Sequence, residues 1–128
     1  MPEIVSSRMA PKSSNPDFLN GVPELLLLRL LARRPMYGYE LVQAIRLASD
    51  GELEFGEGCI YPILHRLERD KKLASKRETV GGRSRVVYRV TPAGRKKLEQ
   101  QQSLWEQTML AIEKVLHGED DRGNASIS

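Results

Sequence analysis

Two hydrophobic rhythms divide the chain: helical spacing over residues 20–71 and 92–117, and strict alternation in the stretch between them. The first apolar run, Leu25, Leu26, Leu27, Leu28, Leu30 and Leu31, predicts a helix from about residue 20 to 34. Asn20 or Gly21 can cap it, Pro23 and Glu24 suit its first turn, and Arg33, Arg34 and Pro35 end it. It is apolar on nearly every side, so it must be covered from more than one direction. A second helix is predicted over 38–48, with Leu41, Val42 and Ile45 as its inner stripe. Ser49, Asp50 and Gly51 make a turn, and Leu53 and Phe55 alternate with Glu52 and Glu54 as a short strand would.

A third helix is predicted over 57–71. At about 100° per residue, Ile60, Ile63, Leu64 and Leu67 share one face, while Gly58, Pro62, His65 and Arg69 lie opposite. Pro62 is tolerable only near a helix start, which places that start close to Glu57. Gly58 and Pro62 keep the outer face low there, so another backbone can come close. A hairpin follows. Its first strand covers 73–79, and Val86, Tyr88 and Val90 alternate with Val87 and Arg89 in its second. Gly81 and Gly82 suit a tight turn, with Arg83, Ser84 and Arg85 on or beside the tip.

The last helix begins after Thr91, with Pro92 at its first position, and runs to about His117. Leu98, Trp105, Met109, Ile112 and Leu116 form one stripe, widened by Leu104, Ala111 and Val115. At about 38 Å the helix is long beside so small a domain. Its far part needs a partner helix, which predicts a homodimer. Residues 1–17 are rich in proline and serine without helical or strand period and read as a disordered arm; 118–128 read as a polar tail.

Charge sharpens this outline. The net charge of the 128 residues is only +3. Yet twelve basic residues lie between Arg66 and Lys97, against Glu68, Asp70 and Glu78, a local balance of +9. The rest of the chain carries −6, so one surface should face a polyanion. A helix followed at once by a cationic hairpin has the shape of a winged helix-turn-helix. The single cysteine, Cys59, excludes an internal disulfide and fits a reducing compartment. The apolar run Leu25–Leu28 is far shorter than the roughly 20 residues a membrane span needs. His65 and His117 offer no metal cluster, and no nucleophilic triad, paired-acid site or phosphate-binding glycine loop is discernible. No cofactor and no enzymatic activity are expected.

Residues 20–117 resemble the PadR family of bacterial and archaeal transcriptional regulators. The resemblance rests on Gly38-Tyr39-Glu40-Leu41, on Glu57-Gly58-Cys59-Ile60-Tyr61-Pro62-Ile63-Leu64-His65-Arg66-Leu67-Glu68, and on Tyr88-Arg89-Val90-Thr91 followed by Gly94. The first looks like the family's entry to its second helix, the next like its recognition helix, and the last like the second wing strand. A single helix after the wing makes the chain similar to the family's short branch. Cys59 departs from the threonine usual there, which removes a hydroxyl suited to phosphate.

The resemblance implies a mainly α fold with a small β-hairpin: a winged helix-turn-helix over 18–91 and a long C-terminal dimerisation helix over 92–117. It implies a repressor acting as a two-fold dimer on a pseudo-palindromic operator in double-stranded DNA, in the cytoplasm at the nucleoid and away from membranes. Tyr61 and His65 are the leading groove-facing residues, with Gly58, Cys59 and Pro62 beside them and Arg66 and Arg69 for phosphate. Tyr39 is placed to donate to phosphate, with core packing as the alternative. Arg83, Ser84 and Arg85 are expected to reach the backbone or a minor groove; Lys76 and Arg77 are weaker candidates. Leu98, Trp105, Met109, Ile112 and Leu116 are the expected dimer contacts. In some short members an aromatic at the place of Trp105 stacks flat ligands, which suggests a small flat aromatic effector; a simple interface anchor is the other reading. From another class, the same basic segment could serve a winged-helix protein-interaction module without sequence-specific DNA binding.

Overall fold

The computed structural model describes residues 21–118. The expected arm at 1–17 and the tail from 119 onward lie outside the described residues. Helix α1 (Val22–Arg33) starts after Gly21, whose φ of 92° suits glycine, with Pro23 in the first turn as expected. Strand β1 (Met36–Tyr37) comes next, and α2 (Gly38–Ala48) follows it directly. Helix α3 (Glu57–Arg69) leads through a left-handed Lys71 into the hairpin of β2 (Leu73–Val80) and β3 (Arg83–Val90). Helix α4 (Pro92–Glu113) ends in a π-helical turn, Lys114–Gly118.

The sheet has the order β1-β3-β2 and is antiparallel throughout. Met36 faces Tyr88 and Tyr37 faces Val87, so β1 covers the outer edge of the hairpin. This strand is missing from the sequence expectation: two residues cannot establish a period. Conversely, the strand expected around Leu53 reduces to an isolated bridge at Phe55. Phe55 is still buried, so the loop is pinned by a side chain more than by a ladder.

The core lies between α1, α2, α3 and the sheet. Leu27, Leu28, Leu31, Leu41, Ile60, Leu64, Leu67 and Leu73 are fully buried, with Phe55, Tyr88 and Leu98 joining them. The buried members of α3 fall on the predicted face, with Ile63 half-buried beside them. Burying a leucine or isoleucine side chain contributes about 1.5–3 kcal/mol each.

The described chain divides into two compact units, up to residue 98 and from 99 on. The division falls at 98 where the sequence suggests 91, because the first turns of α4 are tied into the first unit. Thr91 Oγ accepts the Gly94 N–H at 3.0 Å, the expected N-cap. The same hydroxyl donates towards the Lys71 and Lys72 carbonyls at 2.8 and 3.0 Å. A Cβ on Gly94 would come within 2.1 Å of the Lys72 carbonyl oxygen, so only glycine fits this junction.

Candidate nucleic-acid interface

The hairpin turn consists of Gly81 and Gly82 alone, with φ of 59° and 83°. Positive φ at both positions is the two-residue turn whose twist matches the strands. The ladder therefore continues to the Val80–Arg83 pair. Arg83, Ser84 and Arg85 lie on β3, beside the tip and not in the turn itself.

The hairpin runs back along α3. At its base the Ser75 hydroxyl donates to Glu68 at 2.7 Å, near the helix end. Further out, the Arg85 guanidinium lies 4.3 Å from the centre of the Tyr37 ring. Tyr37 precedes Gly38, and Gly38 packs against the Tyr61 ring so closely that an added Cβ would lie 2.4 Å from it. Tyr61 belongs to the second turn of α3. The wing tip and the N-terminal end of α3 therefore share one end of the domain, with Tyr37, Tyr61 and Arg85 bracing them together.

Gly58, Pro62 and His65 are exposed along the outer line of α3, which continues to an exposed Arg69 at the opposite end of the helix, beside the hairpin base. Pro62 also withholds the N–H that would close on the Gly58 carbonyl, leaving a bare, narrow edge. Tyr61 is half-buried, and its ring centroid lies 6.2 Å from that of His65. Burial first, then the Glu57 carboxylate, pushes its phenol above the ordinary value, while Arg85 opposes this. Tyr61 thus remains a neutral donor at physiological pH. Tyr39 is 45% exposed, and its oxygen accepts from Gln43 at 3.1 Å, so it does not pack in the core. Arg83 and Ser84 are exposed, and Ser84 accepts from Arg77 at 3.3 Å. Arg85 is half-buried by its stacking on Tyr37, while Lys76 points outward.

Two expected contacts are placed differently. Arg66 joins Glu24 of α1, a carboxylate only 9% exposed that also holds Lys97 at 3.2 Å. The Glu24 carboxylate thus ties α3, through Arg66, and the start of α4, through Lys97, to α1. Cys59 is half-buried against the core, and burial raises its thiol pKa, the opposite of what a reactive thiolate needs.

Sequence reasoning missed Glu24 as the partner of Arg66 and Lys97, and Tyr37 as the partner of Arg85. The signal for Glu24 was present: a lone carboxylate on the inner side of a leucine-rich helix must find cations. Tyr37 carried no such signal, because it lies outside any periodic run.

In the second unit, α4 exposes Leu104, Met109, Leu110 and Ile112, its π-helical turn exposes Val115 and Leu116, and Trp105 is half-buried. Leu110 lies away from the predicted stripe. Leu98 differs from the other expected dimer residues: it is 5% exposed and belongs to the core of its own chain. Among the described residues no group of three or more His, Cys, Asp or Glu could hold a metal ion. None of their helices is long and apolar enough to cross a membrane.

Comparison with known proteins agrees with this geometry. The profile of the transcriptional regulator PadR-like family matches residues 27–100. The transcriptional regulator Rv3488 of Mycobacterium tuberculosis is 39% identical over 79 residues, covering 62% of this chain and 71% of that protein. Among solved structures, a transcriptional regulator from Clostridium thermocellum superposes with a TM-score of 0.71 at 31% identity, covering 77% of this chain and 97% of that one. A PadR family transcriptional regulator from Eggerthella lenta gives 0.69 at 30% identity, covering 90% and 94%.

Proposed function

The chain belongs to the PadR-like family of transcriptional regulators, and from that premise we propose that it is a sequence-specific DNA-binding repressor working as a homodimer on a pseudo-palindromic operator. The observation that carries this reading is the shared end: the exposed outer line of α3 and the wing cations are braced side by side through Tyr37, Tyr61 and Arg85. The N-terminal part of α3 enters a major groove. Gly58 and Pro62 allow close approach, and Tyr61 and His65 meet base edges. Arg83 and Ser84 take phosphates. Two such ends in one dimer address successive major grooves about 34–36 Å apart.

The exposed apolar residues of α4 and its π-helical turn supply the pairing surface, with Met109, Ile112 and Leu116 as principal contacts. Trp105 lies on the same stripe and is the place where a flat aromatic effector would stack, altering the spacing of the two reading ends.

A gel-shift salt titration tests the reading. Binding should weaken steeply with salt yet favour one site over random DNA. Arg83→Ala should lower affinity alike on all sequences and reduce the salt slope by about one. An unchanged slope removes Arg83 from the phosphate contacts, and binding without any site preference favours the protein-interaction module. Trp105 fluorescence that ignores every flat aromatic compound relieving repression removes the effector role.

A further inference from the structure

Among the described cations of the first unit outside any ion pair, Arg83 and Arg85 lie on the wing strand proposed above to meet DNA, and a second set lies at the base of the hairpin. The second cluster is Lys71, Lys72, Arg95 and Lys96. Lys71 and Lys72 close α3 and precede β2. The Thr91 N–H donates to the Lys72 carbonyl at 3.0 Å, which fastens the first turn of α4, with Arg95 and Lys96, beside the lysine pair. Arg95 also reaches the Ala32 carbonyl at the end of α1 at 3.4 Å. Lys71, Arg95 and Lys96 are exposed and Lys72 is half-buried. Among the described residues none of the four takes part in an ion pair, unlike Arg34, Arg66, Arg89 and Lys97.

Their position follows from the topology. Strand β2 has eight residues, so its base lies about 24 Å from its tip. The wing tip and the start of α3 share the far end, and the cluster sits at the base. It therefore does not face the groove that α3 enters.

The chemistry of the cluster selects its partner. No large apolar side chain is exposed between residues 69 and 98. A protein partner needs buried apolar or aromatic anchors, which this surface lacks. A phosphate backbone needs only closely spaced cations that release counterions. We propose that Lys71, Lys72, Arg95 and Lys96 form a second DNA-backbone surface, by which the protein holds a neighbouring duplex segment while its reading end occupies the first. The inference rests on the DNA-binding reading above and adds bridging to it.

A two-duplex capture assay with the full chain tests this. One mixed-sequence duplex of about 40 base pairs is fixed to beads, protein is bound at low salt, and retention of a second, labelled duplex is read. The wild type should retain the second duplex. Lys71→Gln, Lys72→Gln, Arg95→Gln and Lys96→Gln combined should cut that retention at least ~10-fold while first-duplex affinity changes less than ~3-fold. Lys71→Glu with Lys96→Glu leaves the Arg95 bond in place and should do the same, with thermal unfolding unchanged in both. Retention undiminished by either variant means that two reading ends do the bridging, and overturns the proposal. So does retention displaced equally by poly-glutamate, which would assign the cluster to an acidic protein. A wild type that holds the first duplex but no second overturns this inference alone; one that holds neither overturns the DNA-binding reading as well.

Discussion

Leu27, Leu28, Leu41 and Leu64 expose none of their surface, whereas Leu104, Leu110 and Leu116 expose 64%, 66% and 56%. The same residue type thus does different work in the two units. Up to residue 98, helices and sheet enclose their own apolar side chains, and a lone buried carboxylate is matched by two cations. From 99 on, a single helical stretch carries apolar residues with nothing among the described residues of its own unit to cover them. A helix of that length is marginal in water without packing. The first unit is therefore built to fold, and the second, on the reading above, to associate.

Substitutions should separate these two roles. The largest effect is expected in the core: Leu64→Ala should cost about 3 kcal/mol, seen as a lower urea midpoint that does not depend on protein concentration. Gly94→Ala should cost about 2 kcal/mol by the same measurement, because the added methyl meets backbone that cannot step aside. In the second unit, Ile112→Glu with Leu116→Glu should convert a two-chain species to a one-chain species in sedimentation. Operator affinity should then fall about tenfold or more, some 1.4 kcal/mol, with far-UV helicity of the first unit retained. A variant that still sediments as two chains would break the contrast between the units.

Smaller effects sharpen it. Gly38→Ala also introduces a close contact, but with the far end of the Tyr61 ring, which can turn. It should cost less than about 1 kcal/mol of stability. Its larger effect should be on the preference for specific over random DNA. The smallest effect concerns alkaline pH. Burial first, then Glu68, raises the Tyr88 phenol above 10.0, and burial raises the Cys59 thiol above 9.0. The folded state holds these protons more tightly than the unfolded one. The stability these two groups contribute should be fully present below pH 9.0 and be lost as pH rises through their raised values. Urea midpoints across that range would measure it, and Cys59 should react with iodoacetamide more slowly than an unfolded thiol.

Much of this was legible beforehand because it is local. Spacing located α2 at its observed bounds, placed Ile60, Leu64 and Leu67 on one face of α3, and picked Thr91 as the cap of α4. The turn at Gly81 and Gly82 was recognised, yet its exact extent was not. Valines and arginines both tolerate extended backbone, so composition could not say that the ladder resumes at Arg83. What stayed hidden is non-local or too brief to repeat. The Arg66–Glu24 pair spans 42 positions, and β1 is two residues long. The sequence assigns Arg66 to phosphate; the structure pairs it with Glu24 while leaving its side chain 45% exposed, a partner only the fold reveals.

One hydroxyl at the seam between hairpin and last helix has a consequence for which side chains can stand there. The Thr91 oxygen accepts a proton from Gly94 while sharing its own with the carbonyls of Lys71 and Lys72. An aspartate could accept but not give; a valine would match the shape and do neither. Among the small alternatives serine keeps both halves of that exchange on one oxygen, whereas asparagine splits them between two atoms, so the tolerated alphabet at this position should centre on threonine and serine.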